Sequence, residues 1–371
     1  MPSKRELNPI SSRQKGVVCV KDKSYVDFSS NDYLGIADLR NEIDSTFSNM
    51  IGQYGFGATG SRLLSGDYDI FHQLETEIAA LKHKESALLF NSGYQCNIGV
   101  ISSLYGKGDL IILDKQSHAS LIDGARLSEA SFCRFKHNDA KHLHDLLKRK
   151  RTQFKRVLIV TESLFSMDGD FAPITEIIRL KKAFNAELFI DEAHATGVFG
   201  GHGQGLITSK QAPDIEYIVG TFGKAFGSSG AFLLCNDNIK NHIINHCRSF
   251  IYSTAMPPLI AAITLQQLHH IKTMDQERED LIDVAQYFKE QLNTLGYTML
   301  GDAHIISVIV GDEDAAVSLS QKLKEAGFWA LPIRPPTVAK GSSRIRFSFT
   351  AHHKKDMLAP LIEFFKKESC H

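Results

Sequence analysis

None of the six cysteines (Cys19, Cys96, Cys133, Cys235, Cys247 and Cys370) belongs to a C-x-x-C pair. That absence argues against a zinc cluster or a disulfide framework and points to a reducing compartment. Net charge is lacking too, with 42 lysines and arginines against 42 aspartates and glutamates. A neutral chain has no broad positive field for phosphate contacts, so a nucleic-acid partner is not expected. No uninterrupted apolar run approaches about 18 residues, and no membrane span is expected. The opening segment "MPSKRELNPISSRQKG" has no apolar core of signal-peptide length, which makes the cytoplasm the expected setting. What is present is an ordinary globular composition: 371 residues, 43% hydrophobic and 23% charged, enough for two domains.

Short apolar runs at 86–90, 109–113, 156–161, 187–190, 217–221 and 231–234 read as strands. Amphipathic segments lie between them, such as "FHQLETEIAAL" with Phe71, Leu74, Ile78 and Leu81 on one stripe. This alternation predicts an α/β fold with a mostly parallel sheet covered on both faces. After "YSTAMPP" the character changes to a helix ending at Gly296, then "HIISVIVGD", a helix "AAVSLSQKLKEAG" and the strands "FWALPIRPP" and "SRIRFSFT". The expected organisation is an N-terminal arm over 1–36, a large α/β domain over 37–274 and a smaller C-terminal α+β domain over 275–371.

Ligands of open parallel sheets sit beyond the carboxyl ends of the strands. Asp191 of "FIDEAHATGVFG" falls at such an end. Asp-Glu-Ala-His also occurs in helicases, but a nucleotide hydrolase needs G-x-x-x-x-G-K-[ST] for its phosphates. The only Gly-Lys pairs here are followed by Gly108 and Ala225, so no P-loop exists. "GFGATG" (55–60) fits G-x-G-x-x-G, yet it follows a helical segment where a dinucleotide site requires a strand. His242 and His246 stand four apart without the Glu of H-E-x-x-H, and no metal site is expected.

Lys224 in "VGTFGKAFGSSG" is set among Gly220, Gly223, Gly227 and Gly230, with Phe222 and Phe226 interleaved. Glycines let a bulky group approach, and apolar neighbours favour a free, nucleophilic amine. An amine of that kind suggests a Schiff base with an aldehyde. Pyridoxal 5′-phosphate would use Lys224 for its aldehyde, Asp191 for its ring nitrogen and His194 for its ring hydroxyl. Ser92–Gly93–Tyr94 of "NSGYQCN" opens an amphipathic segment where free N–H groups suit a phosphate, and His118 of "SHAS" offers a ring that could stack on the cofactor.

Taken together, "VDFSSNDYLG", "NSGYQ", "DKQSHASLIDG", "TESLFSMDGD", "FIDEAHATGVFG", "GTFGKAFGSSG", "IRPPTV" and "SRIRFSFTAHH" resemble the α-oxoamine synthases over nearly the whole chain. These are fold-type-I pyridoxal-phosphate transferases, aspartate-aminotransferase-like, that condense an amino acid with an acyl thioester and release carbon dioxide. The resemblance implies that Lys224 holds the cofactor, with Asp191 at the ring nitrogen, His118 stacked, and His194 and Ser166 near the ring hydroxyl. It implies phosphate contacts from Gly93, Tyr94 and Thr221, amino-acid carboxylate contacts from Asn31 and Arg346, and positions near the acyl group for Arg5 and Thr337. Glu162 of "TES" resembles another polar position of the site. A homodimer is implied as well, with "YSTAMPP" reaching the neighbouring subunit's phosphate. "IRPPTV" is most similar to the branch that joins L-alanine to a pimeloyl thioester of coenzyme A or a carrier protein. Sibling branches use glycine with acetyl- or succinyl-coenzyme A, or serine with palmitoyl-coenzyme A. Ala339 stands where the family usually has proline. A pyridoxal-phosphate aminotransferase would share the lysine and the aspartate but release a keto acid.

Overall fold

The computed structural model describes residues 7–38 and 44–369. In chain order the strands are β1 (Ser12–Gln14), β2 (Val17–Val20), β3 (Lys23–Asp27), β4 (Ser86–Phe90), β5 (Leu110–Asp114), β6 (Ser131–Phe135), β7 (Val157–Glu162), β8 (Glu187–Asp191), β9 (Tyr217–Thr221), β10 (Ala231–Cys235), β11 (Met299–Leu300), β12 (Ile305–Gly311), β13 (Phe328–Trp329), β14 (Pro332–Ile333) and β15 (Ser343–Ser348). The helices of the larger unit include α1 (Asp44–Tyr54), α2 (Asp69–Leu81), α3 (Gly93–Leu104) and α4 (Ala119–Leu127). The chain divides into two compact units. One comprises Leu39–Ser166 and Phe171–Asp275, the other Met1–Asp38, Met167–Asp170 and Gln276–His371.

In the larger unit seven strands lie in the order β4-β10-β9-β8-β7-β5-β6. The ladders β5–β6, β5–β7, β7–β8 and β8–β9 are parallel, and β10 runs antiparallel to both its neighbours. The mostly parallel sheet expected from the alternation of strands and helices is present. Strands β4, β5, β7 and β10 are buried along their whole length, which is why they read as unbroken apolar runs. The six expected strands are present to within one residue at either end. β6 lies outside the expected set. It is an edge strand with three of its five residues exposed and only Phe135 buried, so "SFCRF" carries no continuous apolar signal. The "GFGATG" segment is a loop that follows α1 rather than a strand, as its context predicts.

The smaller unit holds two four-stranded sheets, β1-β2-β3-β13 and β11-β12-β15-β14. β3 pairs in parallel with β13, with Val26 opposite Phe328 and Asp27 opposite Trp329. Phe28, Phe288, Phe347 and Phe349 are fully buried, and their ring centroids lie 5.0–5.6 Å apart. Among the described residues no helix is long and apolar enough to cross a membrane.

Candidate active site

Successive residues at a strand end point to opposite faces, and this separates the two carboxylates of "DEAH". Asp191 ends β8, and its Oδ2 accepts from Asn97 Nδ2 at 2.8 Å while its Oδ1 accepts from the Ala193 N–H at 2.8 Å. Glu192 turns the other way and is fully buried. Its carboxylate forms an ion pair with Lys82 and accepts from the N–H groups of Leu206 and Ile207 at 2.8 and 3.0 Å. Lys82 also donates to the Gln204 carbonyl and to Thr196 Oγ1. The loop after β8 is thereby tied to the residue that caps α2. Gly205 crosses this clamp at φ +98°, where a Cβ would sit 2.6 Å from Lys82 Nζ and 2.8 Å from Glu192 Oε2. Only glycine fits there without displacing the pair.

Asn97 reaches a second group from the same amide nitrogen. Its Nδ2 lies 2.9 Å from Ser120 Oγ, which in turn lies 2.7 Å from His118 Nδ1. His118 caps α4, and its Nδ1 accepts from the Ser120 N–H at 3.3 Å. An Nδ1 that accepts a backbone proton places the proton of a neutral ring on Nε2. Burial pushes its pKa below the usual histidine value, against the opposing pull of Asp191. Asn97 thus connects the carboxylate at the end of β8 to the imidazole before α4. Across the site, Lys224 Nζ lies 2.9 Å from His194 Nε2. His194 is buried, and Lys224 is half-buried in a loop whose Phe222 and Phe226 are fully buried, with ring centroids 5.2 Å apart.

The start of α3 supplies the donors. Ser92 caps the helix by accepting from the Gln95 N–H at 3.2 Å. The N–H groups of Gly93 and Tyr94 have no protein acceptor among the described residues, and they lie at the positive end of a twelve-residue helix. The absent Cβ of Gly93 would lie 3.9 Å from the Thr221 Cβ, so Thr221 borders the same spot. Thr221 Oγ1 is engaged within its own loop, donating to the Gly230 carbonyl at 2.9 Å and accepting from the Gly223 N–H at 3.1 Å. The Tyr94 hydroxyl donates to Asp123, and its ring meets His118 edge-on at 6.3 Å. Ser166 lies in the turn after β7, four residues beyond Glu162.

In the smaller unit Arg346, on β15, donates to Asn31 Oδ1 at 3.2 Å and to the Tyr33 hydroxyl at 3.5 Å. Tyr33 itself donates to Asn31 Oδ1 at 3.1 Å, and burial raises its hydroxyl to about 12. Thr337 closes a turn by donating its N–H to the Arg334 carbonyl at 3.0 Å. Arg5 lies outside the described residues.

Asn97, Ser120 and Tyr33, like Lys82 of the Glu192 clamp, are not reached from the sequence. Asn97 does leave a signal: it shares the buried stripe of α3 with Cys96, Val100 and Ile101, where a polar side chain needs a partner.

A profile of the class I and II aminotransferases matches residues 23–365. The chain belongs to that enzyme family. Among curated relatives it is 42% identical over 358 residues to 8-amino-7-oxononanoate synthase of Haemophilus ducreyi, covering 94% of this chain and 92% of the relative. Among solved structures it superposes on one described as SPT with PLP internal aldimine, with a TM-score of 0.91 and 28% identity over 97% of this chain and 92% of the other. It also matches 8-amino-7-oxononanoate synthase of Francisella tularensis with a TM-score of 0.80 and 29% identity, over 93% and 97% of the two chains. The fold is therefore that of the fold-type-I transferases.

Proposed function

We propose that this chain is an 8-amino-7-oxononanoate synthase, which condenses L-alanine with a pimeloyl thioester and releases carbon dioxide and the thiol carrier. The observation that carries the reading is the Lys224 amine 2.9 Å from the His194 imidazole, in the unit where Asp191 is held by Asn97 and two N–H groups open α3. Those residues fit pyridoxal 5′-phosphate: an amine for the aldehyde, an anion for the ring nitrogen, a flat neutral imidazole and donors for a phosphate. The 42% identity to the Haemophilus ducreyi synthase supports alanine and pimeloyl thioester as substrates, and with them a place in biotin synthesis.

When bound, the cofactor supplies an electron-poor ring that stabilises negative charge on the amino acid's α-carbon. Asp191 is the anion that keeps the ring nitrogen protonated, and Asn97 keeps that carboxylate oriented. Lys224, as a free amine, takes the α-proton and later returns one to the product carbon. His194 receives a hydrogen bond from that amine and fixes where its lone pair points. His118 presents its flat, uncharged ring to the cofactor. Gly93, Tyr94 and Thr221 are assigned the phosphate and Ser166 the ring hydroxyl. Arg346 is assigned the alanine carboxylate, with Asn31 and Tyr33 holding its guanidinium flat. Thr337 and Arg5 are assigned the acyl end, and the working form is a homodimer.

The test is mass analysis of products when alanine, glycine or serine is offered with pimeloyl-, acetyl- or succinyl-coenzyme A, and alanine with a pimeloyl carrier protein. 8-Amino-7-oxononanoate formed from alanine and a pimeloyl thioester is the expected product. Product from glycine and acetyl-coenzyme A instead would move the chain to a sibling synthase. Pyruvate formed from alanine and a keto acid would make it an aminotransferase.

A further inference from the structure

Glu162 closes β7, and its register partner across the parallel ladder is Asp191. Both carboxyl groups are buried, with residue exposures of 4% and 7%. Side chains at paired positions of neighbouring strands leave the sheet on the same side, so both acids project from one face at adjacent strand ends. Two neighbouring carboxylates in a buried site each disfavour the other's charge. Hydrogen bonds decide which one holds the charge. Asp191 accepts two donors, Asn97 Nδ2 and the Ala193 N–H, and both favour its anion. Glu162 accepts one, the His118 N–H at 2.7 Å, through Oε1 alone. Its Oε2 has no protein partner among the described residues.

We infer that Glu162 is a further positioning residue that works as an uncharged acid, pinning the main chain at His118 through one oxygen and leaving the charge of the pair on Asp191. The groups around it agree. Its carboxyl is raised to about 8, first by burial and then by Asp191 on β8, with a smaller push from Asp114 on β5. The His118 N–H before α4 and Lys224 after β9 pull the other way. The consequence for the site is twofold. His118 is the cap of α4, so fixing its N–H fixes the ring that Ser120 orients from the other side. An uncharged Glu162 also leaves Asp191 as the anion opposite a ring nitrogen, without a second negative charge beside Lys224. This role rests on the pyridoxal-phosphate reading of the site.

Two variants separate the roles. Glu162→Gln keeps an acceptor for the His118 N–H and cannot ionise, whereas Glu162→Ala removes the acceptor. In infrared difference spectra of wild type against Glu162→Gln at neutral pH, the carbonyl band of a protonated carboxyl is expected in wild type and missing from the variant. Pyridoxal phosphate affinity, read from the bound cofactor's absorbance, is expected within about threefold of wild type for Glu162→Gln and about tenfold or more weaker for Glu162→Ala. Circular dichroism confirms that both variants fold. A carboxylate band in place of the acid band, Glu162→Gln as impaired as Glu162→Ala, or Glu162→Ala binding normally would each overturn the inference. Wild type that takes up no pyridoxal phosphate would instead sink the functional reading, and the infrared comparison would still decide the charge of Glu162.

Discussion

Asn97 and Asp191 stand 94 residues apart in the chain and are joined by a 2.8 Å hydrogen bond. The same amide nitrogen serves Ser120, so a single side chain in α3 orients both the anion and the imidazole of the site. Asn97→Ala is expected to lower kcat/KM for alanine by about tenfold or more, because a buried acceptor loses a donor at a cost of about 1–3 kcal/mol. Asp191→Asn is expected to be harsher. It should bind pyridoxal phosphate yet lose turnover by on the order of a thousandfold, about 4 kcal/mol of barrier. Steady-state kinetics beside a cofactor titration checks both, and a near-normal rate in Asp191→Asn would remove that residue from the chemistry.

Lys224→Ala removes the amine beside His194. Turnover should vanish, and borohydride treatment in the presence of pyridoxal phosphate should add no mass to the variant while it does so to wild type. Intact-protein mass spectrometry reads the difference directly.

Motif reading reaches Lys224, Asp191, His118 and His194 because each lies in a short run with its own chemical logic, where glycines crowd a lysine or a strand runs into a carboxylate. It does not reach Asn97 or Tyr33, since a lone polar residue inside an amphipathic segment has no spacing rule. The same limit applies to the clamp on Glu192: nothing in "LKHKES" marks Lys82 as the buried partner of a carboxylate 110 residues later. For strands the dividing line is burial. β4, β5, β7 and β10 are buried along their length and are legible as apolar runs, whereas β6 is exposed at the edge and is not.

Lys82→Met leaves Glu192 as an unpaired buried charge beneath the loop after β8. Stability should fall by about 3–5 kcal/mol. Urea unfolding followed by circular dichroism measures it, and a change under about 1 kcal/mol would show that the pair contributes little.

Arg346→Lys replaces a planar fork, held by Asn31 and Tyr33, with a single point charge. The KM for alanine should rise about tenfold while the KM for the thioester stays near its wild-type value. A rise confined to the thioester would transfer Arg346 to the acyl end.

His353 is buried against Phe28, with ring centroids 4.5 Å apart, and its Nδ1 accepts from the Thr350 N–H at 3.2 Å. Burial, reinforced by His352, depresses its pKa from 6.5 to about 3. The unfolded chain therefore takes up this proton first as pH falls. The stability that neutral His353 provides is complete above pH 6.5 and is lost progressively as pH falls toward 3. The full loss is on the order of 5 kcal/mol. Unfolding of wild type and His353→Gln across that range should show the variant with the shallower acid dependence, and equal slopes would count against the assignment.

The parallel pairing of β3 with β13 sets an order of events during synthesis. Strands β1 to β3 are translated well before the fourth strand of their sheet, which arrives only with Phe328 and Trp329. By then every strand of the seven-stranded sheet has been translated. The nascent chain must carry these three strands with an open edge for about three hundred residues, a long interval in which that edge can recruit another polypeptide.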